Sequence, residues 1–522
     1  MWKLKYNSGY SLFFENTSKL AYHRCKYNVY VDDNLYAQDL TTNTFSIYVT
    51  TNENIQVKVV AQNKDIEFCE CINLKDDNYY LNVGSYLNHL ADEDNHTAQI
   101  QGLISSAFDG STLYFPAGTY NITSLFLKSN LKLVFELGAE FNILYDLKNI
   151  PVLPAVAESK DFSKREMIST WEGNPQECYS SIISGYNLEN VEMIGKLKIN
   201  GNASLDNWWD DVKVKKIAWR PKSVYFNNCN NVTIHGLEIY NSPSWSVHPF
   251  YCNNTQIYDM FIFNPSDSPN TDGINPESCD GIEINGCHFD VGDDCIAIKS
   301  GKIYSAKNHY KPCRDIKISN CKMEHGHGAI VLGSEISSGV KHLSIENCYF
   351  SNTDRGLRVK TRRGRGNLSV IDDISLENIE MVDVKAPFTI NAYYNCDPDG
   401  NSEYVSSKSG FDDLTKLPTL GSFKFSDIKC SNVHQVICMA YGLIELPIES
   451  ITIENSSFDF TSTPQSGYPL MMRDAEAITS QIYKFLNVKN VVINNNKYSN
   501  CLQQNQQFTN VENVKEQDNE YC

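Results

Sequence analysis

Three carboxylates in one short stretch carry the most direct chemical content of this sequence. Residues 270–301 read NTDGINPESCDGIEINGCHFDVGDDCIAIKSG and place Asp272, Asp293 and Asp294 in turns between strand-like segments. A carboxyl of raised proton affinity beside ionised ones can protonate a leaving oxygen while a partner activates water, the division of labour that cleavage of a glycosidic bond needs. Further along come His327, in HGHGAIVLGSE, and Arg358 with Lys360, in RVKTRRGRG. An imidazole can support the acid, and two cations at i and i+2 of a strand face the same side. Such a pair suits a substrate that is itself anionic, with Arg able to grip a sugar carboxylate through two parallel hydrogen bonds.

These groups lie far apart in the chain, so a regular scaffold must stack them. From about residue 190 a short pattern recurs: a polar or Gly residue, apolar-x-apolar, then a polar residue or Gly. It appears as NVEMIG at Asn190, NVTIHG at Asn231, GIEING at Gly281, DIKISN at Asp315, HLSIEN at His342, DISLEN at Asp373, SITIEN at Ser450 and NVVINN at Asn490. A short strand kept constant while its loops vary is the signature of a solenoid. β-Branched strands and Asn/Gly turns point to a parallel β-helix, right-handed, rather than a helical repeat. An ordinary sandwich would need hairpins at closer spacing, which the pattern lacks. Coils lie about 4.8 Å apart, so residues one coil apart stack. Asp272 and Asp293, twenty-one residues apart, are expected on successive coils at one edge, with His327 and then Arg358 and Lys360 above them.

The expected domains are residues 1–85, a small β-sandwich resembling a fibronectin type III or immunoglobulin-like module, and 86–522, the β-helix. NVYVDD, TFSIYVT and NIQVKVVAQ are strands of the first, with a hairpin turn at Asp32-Asp33-Asn34. That module holds no convergent catalytic residue types and is read as a spacer or as a wall beside the cleft. HTAQIQGLISSAF has helical spacing, with Ile100, Leu103, Ile104 and Phe108 on one face, and is expected to cap the solenoid edge.

The net charge of −18 argues against a nucleic-acid partner, and no apolar run reaches the length of a membrane span. The N-terminus shows no signal-peptide pattern, which points to the cytoplasm, with a secreted or periplasmic protein whose signal has been removed as the alternative. Seventeen cysteines, many in repeated strand contexts such as Cys279, Cys287, Cys295, Cys321 and Cys348, read as buried apolar fillers rather than a disulfide framework.

NTDG at 270–273, GDDC at 292–295, GHG at 326–328 and RVK at 358–360 together resemble the polygalacturonases of glycoside hydrolase family 28. RPKSVYF at Arg220, KINGNASLDNWW at Lys198 and SPSWSVHP at Ser242 look like further segments of that family, and the likeness runs from about residue 90 to 495. The resemblance implies an inverting hydrolase of α-1,4-galacturonosyl linkages with Asp293 as general acid and Asp272 with Asp294 as the base that activates water. It also implies that His327 supports the acid and that Arg358 and Lys360 bind a galacturonate carboxylate. It requires neither metal nor cofactor, and the implied partner is galacturonan or an oligogalacturonide.

Other residues carry open alternatives. Trp245 and His248 in SPSWSVHP serve as substrate contacts or as coil packing, and Tyr394 stacks on a sugar or joins Tyr393 in the core. Arg362, Arg363 and Arg365 are expected to extend the path of an anionic substrate, and His325 to lie off the site. The Asp293–Asp294 doublet taken alone also suits a calcium-ligating turn. Inserts at 154–176 and 396–418 are expected to close one end of a cleft, which favours exo action. The alternatives are an endo-polygalacturonase, a rhamnogalacturonan or xylogalacturonan hydrolase, a pectate lyase and a non-catalytic β-helical carbohydrate binder.

Overall fold

The computed structural model describes residues 2–6, 9–15, 26–49, 51, 53–61, 66–74, 80–87, 94–158, 165–501 and 505–522. Both ends of the recurring six-residue motif explain the architecture. Its first residue has positive φ at Asn190, Asn231, Gly281, Asp315, His342 and Asp373, and its last at Gly195, Gly236, Gly286, Asn320, Asn347, Asn378, Asn455 and Asn495. Gly adopts this left-handed geometry without strain, and Asn and Asp tolerate it best among the rest, so the sequence bends sharply at both ends of a short strand. The amides then bond from coil to coil: Asn231 Nδ2 donates to Asn190 Oδ1 at 2.6 Å, and Asn378 Nδ2 to Asn347 Oδ1 at 2.7 Å.

Each coil is built of three strands, as in Asp280–Asn285, His288–Asp290 and Ile296–Ile298, and each strand pairs in parallel with its counterpart in the next coil. Inward-facing residues stack in register, Ile282 with Ile316, Leu343 and Ile374, forming one buried column of the core. The interlocked strands make a right-handed parallel β-helix. Among the described residues the sixteen cysteines are free. Cys279, Cys321 and Cys348 direct Sγ toward the carbonyl two residues earlier, so the thiol fills the core and satisfies a turn at once.

The first coil is capped by helix Thr97–Ser106. Gln101 donates to the Phe126 carbonyl at 2.9 Å and accepts from the Phe126 amide at 2.8 Å, while the Thr97 hydroxyl accepts from the Thr123 amide at 2.8 Å. Edge groups that would otherwise template another strand are thereby paired. Ile100 and Ile104 are buried, but Phe108, expected on the same face, lies beyond the end of the helix and is 85% exposed.

The N-terminal strands form two antiparallel sheets, one from Trp2–Tyr6, Gly9–Glu15 and Thr44–Val49, the other from Asn34–Leu40, Tyr27–Val31, Ile55–Ala61 and Ile66–Ile72. Leu12, Val29, Ile47 and Val57 are buried between them. Asp32 and Asp33 both have positive φ, the geometry of a tight hairpin turn. This sandwich docks on the coil corners at Asn285 and Asn320, whose amides both donate to Glu15. That corner is not the one that bears the acids, so the expectation of a wall beside the cleft is corrected: no described residue of the sandwich lines it.

Candidate active site

The third strand of each coil carries the site. Ile274, Ile296, Ile330, Leu357 and Phe388 stack in register through successive parallel pairings. Asp272 and Asp294 each stand two residues before their Ile, whereas Asp293 and His327 each stand three residues before theirs. The column expected from spacing is therefore corrected by one residue. Asp294 stacks on Asp272, and His327 stacks on Asp293, with its Nδ1 3.4 Å from Asp293 Oδ1. The glycines around His327 make the close stacking possible, since a Cβ at Gly326 would lie 2.6 Å from the Asp293 carbonyl oxygen.

Arg358 and Lys360 leave strand Arg355–Lys360 on one side, with Val359 buried between them. Lys360 Nζ donates to Asp294 Oδ2 at 2.8 Å, and Arg358 Nη1 lies 3.8 Å from Asp294 Oδ1. Asp272, Asp293, Asp294, His327, Arg358, Lys360, Trp245 and Tyr394 all line one cleft of about 540 Å³. Burial, reinforced by the neighbouring Asp293 charge, raises the Asp272 carboxyl to about 7. Burial also acts on Asp293, but the His327 hydrogen bond and charge, with Lys360 and Lys299, overcome it and hold that carboxyl well below the usual range. The same bond to Asp293 raises His327 above an ordinary imidazole. The cleft thus holds a buried proton on Asp272 beside an ionised Asp293 paired with His327, a separation of proton affinities that acid–base chemistry uses.

Asp293, Asp294 and His327 also offer ligand atoms within 4.8 Å of one another. A divalent cation there would meet Lys360 and Arg358, already in place against Asp294, so the donor set does not suit a resident metal.

Of the side chains left with open alternatives, His248 lies away from the cleft. His248 is fully buried and absent from the cleft lining; its Nε2 lies 3.0 Å from Glu277 Oε2 and its ring packs edge-on against Trp245 at 4.9 Å. It supports the wall rather than meeting a substrate, because the tryptophan covers it. Trp245 itself is 3% exposed, stacked on Trp171 at 6.1 Å, which stacks in turn on Trp219 at 5.0 Å. Tyr393 and Tyr394 divide: Tyr393 is fully buried and donates to the Gly442 carbonyl, while Tyr394 faces the cleft with Lys360 Nζ 5.9 Å from its ring centroid. His325 pairs with Asp290 at 2.9 Å and lies outside the lining.

The expected substrate path along Arg362, Arg363 and Arg365 is also corrected. Arg362 makes a two-pronged bond to Asp399 at 2.7 and 2.6 Å, and Arg363 one to Glu445 at 2.9 Å on each prong. Arg365 Nη2 lies 2.7 Å from Asp397 Oδ2. All three tie insert 396–418 and its surroundings to the solenoid, and none lines the cleft. The inserts do wall it. Hairpin Thr170–Trp171 with Asn174–Pro175 brings Glu172, the segment after Tyr394 brings Cys396 and Asp397, and a loop anchored by the Arg355 bond to the Pro469 carbonyl brings Met471.

A sequence model of glycosyl hydrolases family 28 matches residues 163–415, which contain every one of these cleft motifs. That match, together with the relatives and folds below, supports a family 28 polygalacturonase. It is similar to a probable polygalacturonase of Vitis vinifera, 29% identical over 379 residues that cover 72% of each chain. It is also similar to an endo-polygalacturonase of Pectobacterium carotovorum, 27% identical over 72% of this chain and 87% of that one. Among solved structures, an exopolygalacturonase of Thermotoga maritima shares the fold with a TM-score of 0.61 at 22% identity, over 78% of this chain and 94% of that one. The family 28 exopolygalacturonase of Yersinia enterocolitica has the same TM-score at 16% identity over 99% of this chain and 97% of the other, so that fold likeness includes the N-terminal sheets.

Among the cleft residues that the sequence did not single out are Lys299 and Glu335. Lys299 lies almost wholly buried, with Nζ 3.1 Å from Glu335 Oε2, 3.7 Å from Asp272 Oδ2 and 4.6 Å from the Trp245 ring centroid. Burial opposes its charge, yet Glu335 and Asp272 keep its pKa above that of an ordinary lysine. A signal for it existed: Ile296 and Ile298 point inward, so Ala297 and Lys299 must point out, and Lys299 occupies the register of Lys360 two coils on. Gly333 stands between the two lysines in that register and has no side chain to separate them. Glu335 carried no such signal, because it lies in a loop after the strand.

Proposed function

We propose that this family 28 pectin-degrading hydrolase cleaves α-1,4-galacturonosyl linkages of de-esterified polygalacturonate or its oligomers, with inversion and from a chain end. The observation that carries this is the placing of Arg358 and Lys360 3.8 and 2.8 Å from Asp294 in a cleft that also holds Asp272 and Asp293. Cations beside the reacting carboxylates favour a substrate whose own carboxylate lies next to the bond to be cut. Two inserts and the loop bearing Met471 wall the cleft, which supports exo action.

In this reading Asp293, ionised at rest, takes the proton of the His327 imidazolium stacked on it and passes it to the glycosidic oxygen as the bond breaks. Asp272, raised to about 7 by burial, keeps its proton at acidic pH. Of the two base candidates it is therefore Asp294 that takes the proton of the attacking water, while Asp272 holds that water by a hydrogen bond. Tyr394 presents ring surface to the pyranose, Trp245 backs the cleft wall behind Lys299, and Arg358 with Lys360 grips the uronate carboxylate.

The test incubates the protein with polygalacturonate in the presence of a chelator. New reducing ends without an ultraviolet-absorbing unsaturated product are expected, with monomer or dimer appearing first and inverted anomeric configuration by proton NMR. An unsaturated product would overturn hydrolysis in favour of a lyase, and a broad early ladder of oligomers would overturn the exo assignment.

A further inference from the structure

On the far side of the Arg365–Asp397 pair from the catalytic cleft lies a second cavity of about 420 Å³, between residues 303–307, 364–368 and 415–416. A net charge of −18 makes most of this molecule repel anions, yet the cavity lining contains Lys307, Arg365 and Lys416 and no carboxylate. Lys307 has no ion-pair partner among the described residues, and Lys416 meets only Asp413, at 3.3 Å. Arg365 is 5% exposed and faces Asp397 with Nη2, while its Nε has no hydrogen-bond partner. Ser337, fully buried in the same lining, has an unpartnered hydroxyl. Ile303 and Leu368, each 39% exposed, supply apolar walls, and Gly366, at φ +92, leaves the space between them open because a Cβ there would approach Ile303 Cδ1 to 3.0 Å.

Cations, an unpartnered hydroxyl and aliphatic walls in one cavity of this size fit a small carboxylate with a ring body. We infer that this cavity is a second, non-catalytic site that binds a monomeric hexuronate, with its carboxylate on Arg365 and Lys307 and its C–H face on Leu368 and Ile303. The choice of a uronate, the monomer released by the proposed reaction, rests on the galacturonan reading above; the anion site does not. Arg365 shares Asp397, which lines the cleft, with Lys302 at 3.1 Å and Arg362 at 3.5 Å, so a carboxylate on Arg365 competes with one of three cation contacts that hold insert 396–418 at the cleft rim. The site therefore couples the level of free monomer to the cleft.

The test titrates the full chain by calorimetry with sodium galacturonate, and separately with galactose and with inorganic phosphate. It uses the wild type and a Lys307→Glu/Lys416→Glu variant, both changes lying outside the catalytic cleft. The expected result is a galacturonate isotherm in the wild type with a component that the variant loses by at least tenfold in affinity, no binding of galactose at that component, and initial hydrolysis rates without added monomer within about twofold of each other. Product inhibition by galacturonate is expected to be mixed in the wild type and competitive alone in the variant. Identical isotherms and identical inhibition patterns in the two proteins would overturn the site, and a Lys307-dependent isotherm for phosphate with none for galacturonate would overturn the choice of ligand. If the wild type hydrolyses no polygalacturonate, the functional reading fails by itself, while a Lys307-dependent galacturonate isotherm still upholds the cavity.

Discussion

The basic run RVKTRRGRG divides between two surroundings. Arg358 and Lys360 leave a strand toward Asp294 and end in the open cleft, whereas Arg362, Arg363 and Arg365 turn back into insert 396–418 and Glu445. The first pair is held by the pleat of a strand with Val359 as its inward anchor. The later arginines follow the end of that strand, where the chain turns, and each is drawn to a carboxylate of the protein, so none of them reaches the catalytic cleft. Five cations of one run therefore serve two ends. Two bring positive charge to a substrate in the cleft, and three fix its wall from behind.

That contrast can be broken from either side. Asp294→Asn, at the carboxylate both cleft cations serve, should lower kcat by about 10³-fold while leaving substrate binding measurable, and Asp272→Asn should lower it less. Equal losses in single-turnover rates would remove the assignment of the base to Asp294. On the structural side, Arg363→Ala leaves Glu445, 5% exposed in its side chain, without its partner, and should cost about 3–5 kcal/mol in denaturant unfolding with kcat/KM per folded molecule unchanged. Lys360→Ala should show the reverse: kcat/KM on polygalacturonate down by about 10- to 100-fold, which is about 1.4–2.7 kcal/mol, and a smaller change in unfolding free energy than Arg363→Ala. A Lys360→Ala protein that unfolds as easily as Arg363→Ala would show that the two halves of the run do not differ in kind.

The smallest effect concerns pH. The Asp272 carboxyl rises from an ordinary 3.8 to about 7 in the folded protein, so the folded state binds this proton more tightly than the unfolded chain. Its contribution to stability is full below about pH 3.8 and is lost as pH rises through about 7. Urea unfolding from pH 4 to 8 should therefore show the wild type losing stability relative to Asp272→Asn. A parallel course for the two proteins would mean that Asp272 is not the buried proton carrier.

Much of the scaffold was legible because its turns depend on residue type. Asn and Gly at both ends of each short strand announce positive φ, and the alternation between them gives the inward stack. The cleft acids were legible through their motifs, but their pairing was not. Counting residues from Asp272 led to Asp293, while the hydrogen-bond ladder places Asp294 there, because the turn between coils does not keep a constant length. Lys299 was readable from strand alternation but hidden by its neighbours, whereas Glu335 and Glu172 come from loops whose course no local pattern sets. His248 looked like a substrate group because its segment does; only the packing of Trp245 over it shows that it is walled off.

By itself, then, the sequence determined the repeat, the carboxylates and imidazole of the site, and the need for cations near them, since each follows from local backbone preference or from chemical type at a fixed spacing. The tertiary structure alone decided which carboxylate stacks on which, which arginines face a ligand and which face the protein, and where the proton rests. Those outcomes depend on burial and on partners brought from distant loops, and a charge acquires its role only from what stands within a few ångströms of it.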